Sequence, residues 1–220
     1  MTKVKSNKKP WPTKKAMEQV YELNLWGGGK ANFYSGEGSH KESIVKPYIE
    51  KVSAFLSSFE SPLNVVDLGC GDFNIGNQLY ELASQYMAVD IVGDLISRNK
   101  LEFKADNLEF DCLNLATDQL PAGDCAIIRQ VLQHLSNNEV FEVVKKLSAY
   151  KYVILTEHVP SEKFKPNLDI VSGQGIRLKY NSGLSLLEPP FNFKVKKYIE
   201  LISIDVESWK GKIVTTLFQL

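Results

Sequence analysis

The spacing of hydrophobic positions changes part-way along this chain, from a helical period to short buried runs. Across residues 13–25, Met17, Val20 and Tyr21 share one side and Pro12 stands just ahead of the first turn, which predicts a helix. The run Trp26-Gly27-Gly28-Gly29 is too flexible to continue it, and Tyr34-Ser35-Gly36-Glu37-Gly38-Ser39 reads as a second loop of small residues. Ile44, Val45, Tyr48, Ile49, Val52, Phe55 and Leu56 then recur at a helical period. Pro47 fits only near a first turn, which places the start of this second helix around Ser43.

From residue 63 the pattern becomes strand, helix, strand. Residues 63–68, 86–91, 107–112, 125–128 and 152–157 are compact apolar runs that predict strands. Ile75, Leu79 and Leu82 give a helical stripe after the first of them. Ser136 and Glu139 form a capping box ahead of Val140, Val143, Val144 and Leu147, so a helix begins there. Residues 195–204 and 212–218 are two further strands with Trp209-Lys210-Gly211 between them and no helix, which predicts an antiparallel hairpin. The expected fold is α/β and doubly wound: a mostly parallel seven-stranded sheet with a C-terminal antiparallel hairpin and N-terminal helices. Residues 160–193 form a long irregular stretch with four prolines, the kind of connection that is functional or mobile, and are read as a substrate-side insertion.

Composition narrows the classes. With 220 residues and 44% hydrophobic content, the chain builds one substantial core, a single domain over residues 13–220 in which 13–60 supply the N-terminal helices and a lid. The formal net charge of +0 argues against a polyanionic partner such as nucleic acid. Lys3, Lys5, Lys8 and Lys9 mark residues 1–12 as a solvated basic tail. No apolar run approaches the roughly 20 residues of a membrane span, so no membrane partner is expected. Cys70, Cys112 and Cys125 lack metal-ligand spacing and read as reduced thiols of a cytoplasmic protein. No metal site is expected: Glu157, His158 and Asp169 match no ligand signature.

The chemistry concentrates after the first strand, in Val65-Val66-Asp67-Leu68-Gly69-Cys70-Gly71-Asp72-Phe73-Asn74-Ile75-Gly76. Glycines directly after a buried strand let the backbone turn sharply against a ligand. The spacing is not the G-x-G-x-x-G of a dinucleotide pyrophosphate, and Asp67 would repel one. An acidic neighbour instead suits a ligand carrying an ammonium and a sulfonium. Asp90, at the end of the next strand, has two acceptor oxygens for a pair of ribose hydroxyls.

These residues, with Ala88-Val89-Asp90, resemble the first two motifs of class I S-adenosylmethionine-dependent methyltransferases. The resemblance continues through 113–121, Asp124, the run 129–136, Asn167-Leu168-Asp169-Ile170 and Pro190-Phe191-Asn192-Phe193, and is similar to a poorly characterised branch of that superfamily. It implies that Gly69, Cys70 and Gly71 contact the amino-acid end of S-adenosyl-L-methionine and that Asp90 and Ile91 contact its ribose. It further implies that Asn114 and Leu115 flank the adenine, with Arg129 and Gln130 near the methionine portion. Asn114 stands where the superfamily often has aspartate, and Ser148-Ala149-Tyr150-Lys151 replaces the usual Pro-Gly-Gly turn.

Methyl transfer is an in-line displacement in which positioning dominates. A general base is needed only where the acceptor must lose a proton, and the candidates are His134, placed to titrate near neutrality, and the pair Glu157-His158. Trp26, Tyr34 and Ser35 are candidates for a lid over the cofactor, with glycine hinges on either side. Glu188-Pro189-Pro190-Phe191 reads as a rigid turn. The leading reading is a methyltransferase acting on a small-molecule oxygen or nitrogen acceptor. The alternatives are a non-catalytic S-adenosylmethionine-binding or interaction protein, and an NAD-dependent dehydrogenase or epimerase.

Overall fold

Seven strands form one sheet in the order β3-β2-β1-β4-β5-β7-β6. The computed structural model describes residues 11–28, 33–206 and 211–220; the expected basic tail through residue 10, Gly29 and the Trp209-Lys210 part of the last turn lie outside the described residues. Three helices come first, α1 (Thr13–Glu22), α2 (Glu37–His40) and α3 (Glu42–Leu56), followed by β1 (Asn64–Leu68). Then come β2 (Gln85–Asp90), α4 (Gly93–Glu102), β3 (Leu108–Cys112), β4 (Cys125–Arg129), α5 (Asn137–Leu147), β5 (Tyr152–Pro160), β6 (Lys197–Val206) and β7 (Gly211–Gln219). Strands β1 to β5 pair in parallel, whereas β7 runs antiparallel to both β5 and β6. The expected doubly wound sheet with a terminal hairpin is therefore present.

The central strands are buried on both faces, β4 along its whole length, which is why they read as unbroken apolar runs. On one face Val66, Leu68, Ala126, Ile128, Val153 and Leu155 pack against Val140, Val143, Val144 and Leu147 of α5. On the other, Val65, Ile127 and Ile154 pack against Val45, Tyr48, Val52 and Leu56 of α3. The direction of chain progression reverses between β1 and β4, and a doubly wound sheet opens a crevice at that point, beyond the strand C-termini.

Two local expectations are corrected. The stripe Ile75, Leu79, Leu82 is not an α-helix but two short 3-10 turns, Gly76–Gln78 and Tyr80–Leu82. Phe73, at φ 64°, turns its ring into the core, and a Cβ on Gly76 would lie 2.3 Å from that ring. The chain is thus held close to the sheet, with no room for a regular helix before β2. Helix α3 begins at Glu42, which puts Pro47 in its second turn. The start is set by the Lys41 carbonyl, which accepts from both Ile44 N and Val45 N at 2.9 Å.

The 160–193 stretch carries one 3-10 turn, Arg177–Tyr180, and is pinned by side chains. Asn167 donates from Nδ2 to the carbonyls of Ser185 at 2.8 Å and Pro189 at 2.9 Å, and accepts Ser185 N–H at 2.9 Å. Among the described residues no helix is long and apolar enough to cross a membrane.

Candidate functional site

The glycine turn after β1 builds one side of the site. Gly69 (φ 92°) and Gly71 (φ 55°) occupy left-handed backbone, and a Cβ on either would come within 2.3 Å of Val131 or Ser35. Only glycine fits both conditions. At the tip of β2, Asp90 Oδ2 accepts from Gly71 N at 3.1 Å and Oδ1 from Val92 N at 3.0 Å. Burial raises the Asp90 pKa, and these backbone donors oppose the rise. Each oxygen keeps a second lone pair for a ligand. Asn99 of α4, fully buried, donates from Nδ2 to Gly71 O at 2.8 Å and fixes the turn from beneath.

The segment after β4 faces this turn. Gln130 sits at φ 56° and donates its N–H to Thr156 O at 2.7 Å, so its side chain is turned onto Gly38. Arg129 is buried with its guanidinium 4.7 Å from the Tyr48 ring centroid. It donates to Gly38 O at 2.6 Å and to Ser39 Oγ at 3.3 Å. His134 faces Gly173 O from Nδ1 at 3.1 Å; a carbonyl only accepts, so Nδ1 carries the proton. Nε2 then accepts from Gln133 Nε2 at 3.4 Å. Burial lowers the His134 pKa to about 4, so the expectation that it titrates near neutrality is corrected: it is a neutral ring with both nitrogens engaged.

Residues 33–40 cross the open end as a strap. Ser35 N donates to Asp72 Oδ2 at 2.8 Å, and Asp72 N returns a bond to Ser35 Oγ at 2.8 Å. His40 Nε2 donates to the same Oδ2 at 2.6 Å, and Asn74 Nδ2 to Ser39 O at 2.6 Å. Helix α1 adds Tyr21, whose hydroxyl meets Ser35 Oγ at 3.1 Å, and the following loop lays Trp26 against His134 with ring centroids 5.2 Å apart.

Together these elements line a cavity of about 420 Å³. Of the residues proposed from sequence for the cofactor, Gly69, Cys70, Gly71, Asp90, Ile91, Asn114, Leu115, Arg129, Gln130, Trp26 and Ser35 border it. Asp67 and Tyr34 are absent from its walls. Asp67 shares the strand face of Val65 and accepts a bond from the Tyr86 hydroxyl at 3.0 Å, and burial raises its pKa to about 7; its carboxyl is held within that face rather than on the cavity wall. Tyr34 instead stacks on His40, with centroids 4.3 Å apart.

Of the base candidates, His134 and His158 border the cavity and Glu157 does not. Consecutive strand residues point to opposite faces, so Glu157 and His158 cannot act as one pair in one space. Burial lowers the His158 pKa to about 4 and raises that of Glu157 to about 8. Sequence reasoning missed Asn99, Gln133 and Arg177. Arg177, 1% exposed, donates to the carbonyls of Leu168 and Leu135 at 2.9 and 2.8 Å and to Asn137 Oδ1 at 2.6 Å. It ties the 160–193 segment to the turn that carries Gln133 and His134. Their partners at Gly71, His158, Leu135 and Asn137 lie 25 or more residues away, and no local pattern signals such bonds.

No protein-family model and no curated protein sequence matches the chain. Solved structures do match. The N-methyltransferase NodS from Bradyrhizobium japonicum WM9, in complex with S-adenosyl-L-homocysteine, superimposes with a TM-score of 0.68 at 9% identity, over 93% of this chain and 98% of its own. Magnesium protoporphyrin IX methyltransferase from Synechocystis PCC 6803, with the same bound ligand, gives a TM-score of 0.59 at 15% identity, over 93% and 95%. The N-terminal domain of EvdMO1, crystallised with that ligand and D-fucose, gives 0.60 at 13%, over 96% and 97%.

The fold is that of class I methyltransferases.

In this methyltransferase fold the cavity sits at the C-terminal ends of β1, β2 and β4, where the doubly wound sheet changes direction. The sequence-level resemblance and the architecture thus point to the same edge of the sheet.

Proposed function

We propose that the protein is an S-adenosylmethionine-dependent methyltransferase acting on a small-molecule oxygen or nitrogen acceptor in a reducing compartment such as the cytoplasm. One observation carries the reading. The Gly69-Cys70-Gly71 turn, left-handed at both glycines, and the buried Asp90 carboxylate, joined by the 3.1 Å bond from Gly71 N, border the same cavity. Asp90 would hold the ribose hydroxyls, the glycine turn the amino-acid end, and Asn114 and Leu115 the adenine. When bound, the cofactor supplies an activated methyl group. The chain's own part is to orient an acceptor, exclude water with the strap and α1, and receive a proton where the acceptor releases one. His134 and His158, the two histidines that border the cavity, are the candidates for that last role.

The apolar side chains that the 160–193 segment adds to the cavity wall, Ile176 and Leu178, support a small acceptor. The test is calorimetry with S-adenosylhomocysteine, S-adenosylmethionine and NAD. The two sulfur ligands should bind and NAD should not, and Asp90→Ala should weaken S-adenosylhomocysteine at least thirtyfold in a folded variant. Unchanged affinity in that variant overturns the cofactor placement.

A further inference from the structure

The part of the cavity away from the glycine turn is walled by apolar and uncharged groups. Trp26, Ile176 and Leu178 supply the apolar surface and Gln133 and His158 the polar atoms, while Glu37 is exposed at the rim. Between Ile176 and Leu178, which reach it, Arg177 turns away to bind the carbonyls of Leu132, Gln133 and Leu135 in the β4–α5 turn. The segment that supplies this wall is therefore fixed from behind.

Carboxylates outnumber cations around the space. Asp90 and Glu37 are its carboxylates, and Arg129 is the one arginine or lysine among the described residues that border it. That guanidinium is directed at Gly38 O, Ser39 Oγ and Gln130 Oε1, with its face against Tyr48. The two histidines add no positive charge at neutral pH, since burial lowers both pKa values to about 4. A carboxylate or phosphate entering this part would lose its hydration against an apolar wall and meet Glu37 at the rim, while the one guanidinium bordering the space is already directed at the strap.

From this wall we infer that the acceptor subsite takes a ring-sized, largely apolar molecule that is neutral or cationic, such as an amine or phenol with no carboxylate or phosphate. This deepens the methyltransferase reading and rests on it.

The experiment measures binding to protein saturated with S-adenosylhomocysteine, using matched single-ring probes. Benzylamine, benzyl alcohol and phenol stand against benzoate and phenyl phosphate, followed by ligand-observed NMR titration. Neutral and cationic probes should bind, and the anionic ones should bind at least tenfold more weakly. Glu37→Lys should narrow that gap at least threefold, with Glu37→Gln intermediate. Anionic probes binding as well as their neutral partners, or no probe binding to the saturated protein, overturns the inference. Failure of S-adenosylhomocysteine itself to bind is a different result, and it strikes the cofactor reading instead.

Discussion

At the residue scale, burial decides which protonation states the fold accepts. Glu157, 3% exposed, has a pKa raised by desolvation to about 8, with the Arg177 charge pulling the other way. A carboxyl group whose folded pKa lies above its unfolded value of 4.5 stabilises the native state fully below pH 4.5, and that contribution is lost as pH rises through about 8. Replacing Glu157 with glutamine removes the ionisation. Glu157→Gln should therefore be more stable than the parent at pH 8, by on the order of 1–3 kcal/mol, with the gain fading toward pH 4.5. Denaturant midpoints at the two pH values check this, and a gain that grows on acidification would refute it. His134 and His158 act in the opposite sense: their lowered pKa values, about 4 each, give stability that is present above pH 6.5 and lost as pH falls toward 4. Gly69, Gly71 and Asp90 were legible because each answers a local demand, a tight turn or a strand end. Asp67 and Glu157 were misplaced for a physical reason. Their strands are buried on both sides, so no polar alternation tells which face an acidic side chain takes.

At the scale of elements, α5 shows what a local signal can and cannot reveal. The capping box is present as its sequence predicts, with Ser136 Oγ accepting from Glu139 N at 3.4 Å and Glu139 Oε2 accepting from Ser136 N at 3.4 Å. What the sequence does not reveal is that Glu139 also receives the hydroxyls of Thr13 from α1 and Ser172 from the 160–193 segment. Losing a cap alone costs about 1 kcal/mol. Ser136→Ala should show about that loss, and Glu139→Ala a larger one, because three elements lose a shared acceptor. Hydrogen exchange should separate the two: amides of residues 167–178 lose protection in Glu139→Ala and much less in Ser136→Ala. Equal exchange in the two variants would reduce Glu139 to a simple cap. Arg177→Met tests the same junction from the other side. Its guanidinium serves carbonyls from two segments, and leaving those buried acceptors unpaired should cost about 3 kcal/mol or more in an equilibrium unfolding experiment. Helix α4 was not marked by sequence. Its site-facing contact is Asn99, buried beneath the glycine turn, and a helix's internal period carries no record of such a partner.

At the scale of the whole molecule, the sheet with α3 and α5 supplies a fixed floor, and α1 with the strap a roof joined to it by side-chain bonds. Ser35, Gly36 and Gly38 of the strap border the cavity; Arg129 and Asn74 hold its C-terminal half, and Asp72 ties both ends, Ser35 and His40, to the floor. That carboxylate takes Ser35 N–H and the His40 ring together, and Asp72 N completes the exchange with Ser35 Oγ. A roof held this way governs escape of a ligand more than its entry, because the ligand enters when the roof is open in either variant. Asp72→Ala should raise the dissociation rate of S-adenosylhomocysteine about tenfold and change the association rate by less than threefold, since affinity differences between related complexes lie mostly in dissociation. Stopped-flow displacement measures both rates, and hydrogen exchange of residues 33–40 reports the strap itself. In the parent those amides should gain protection when ligand binds, and in Asp72→Ala they should stay exposed with ligand present. An unchanged dissociation rate alongside an exposed strap would separate the roof from retention, leaving the glycine turn and Asp90 to hold the ligand alone.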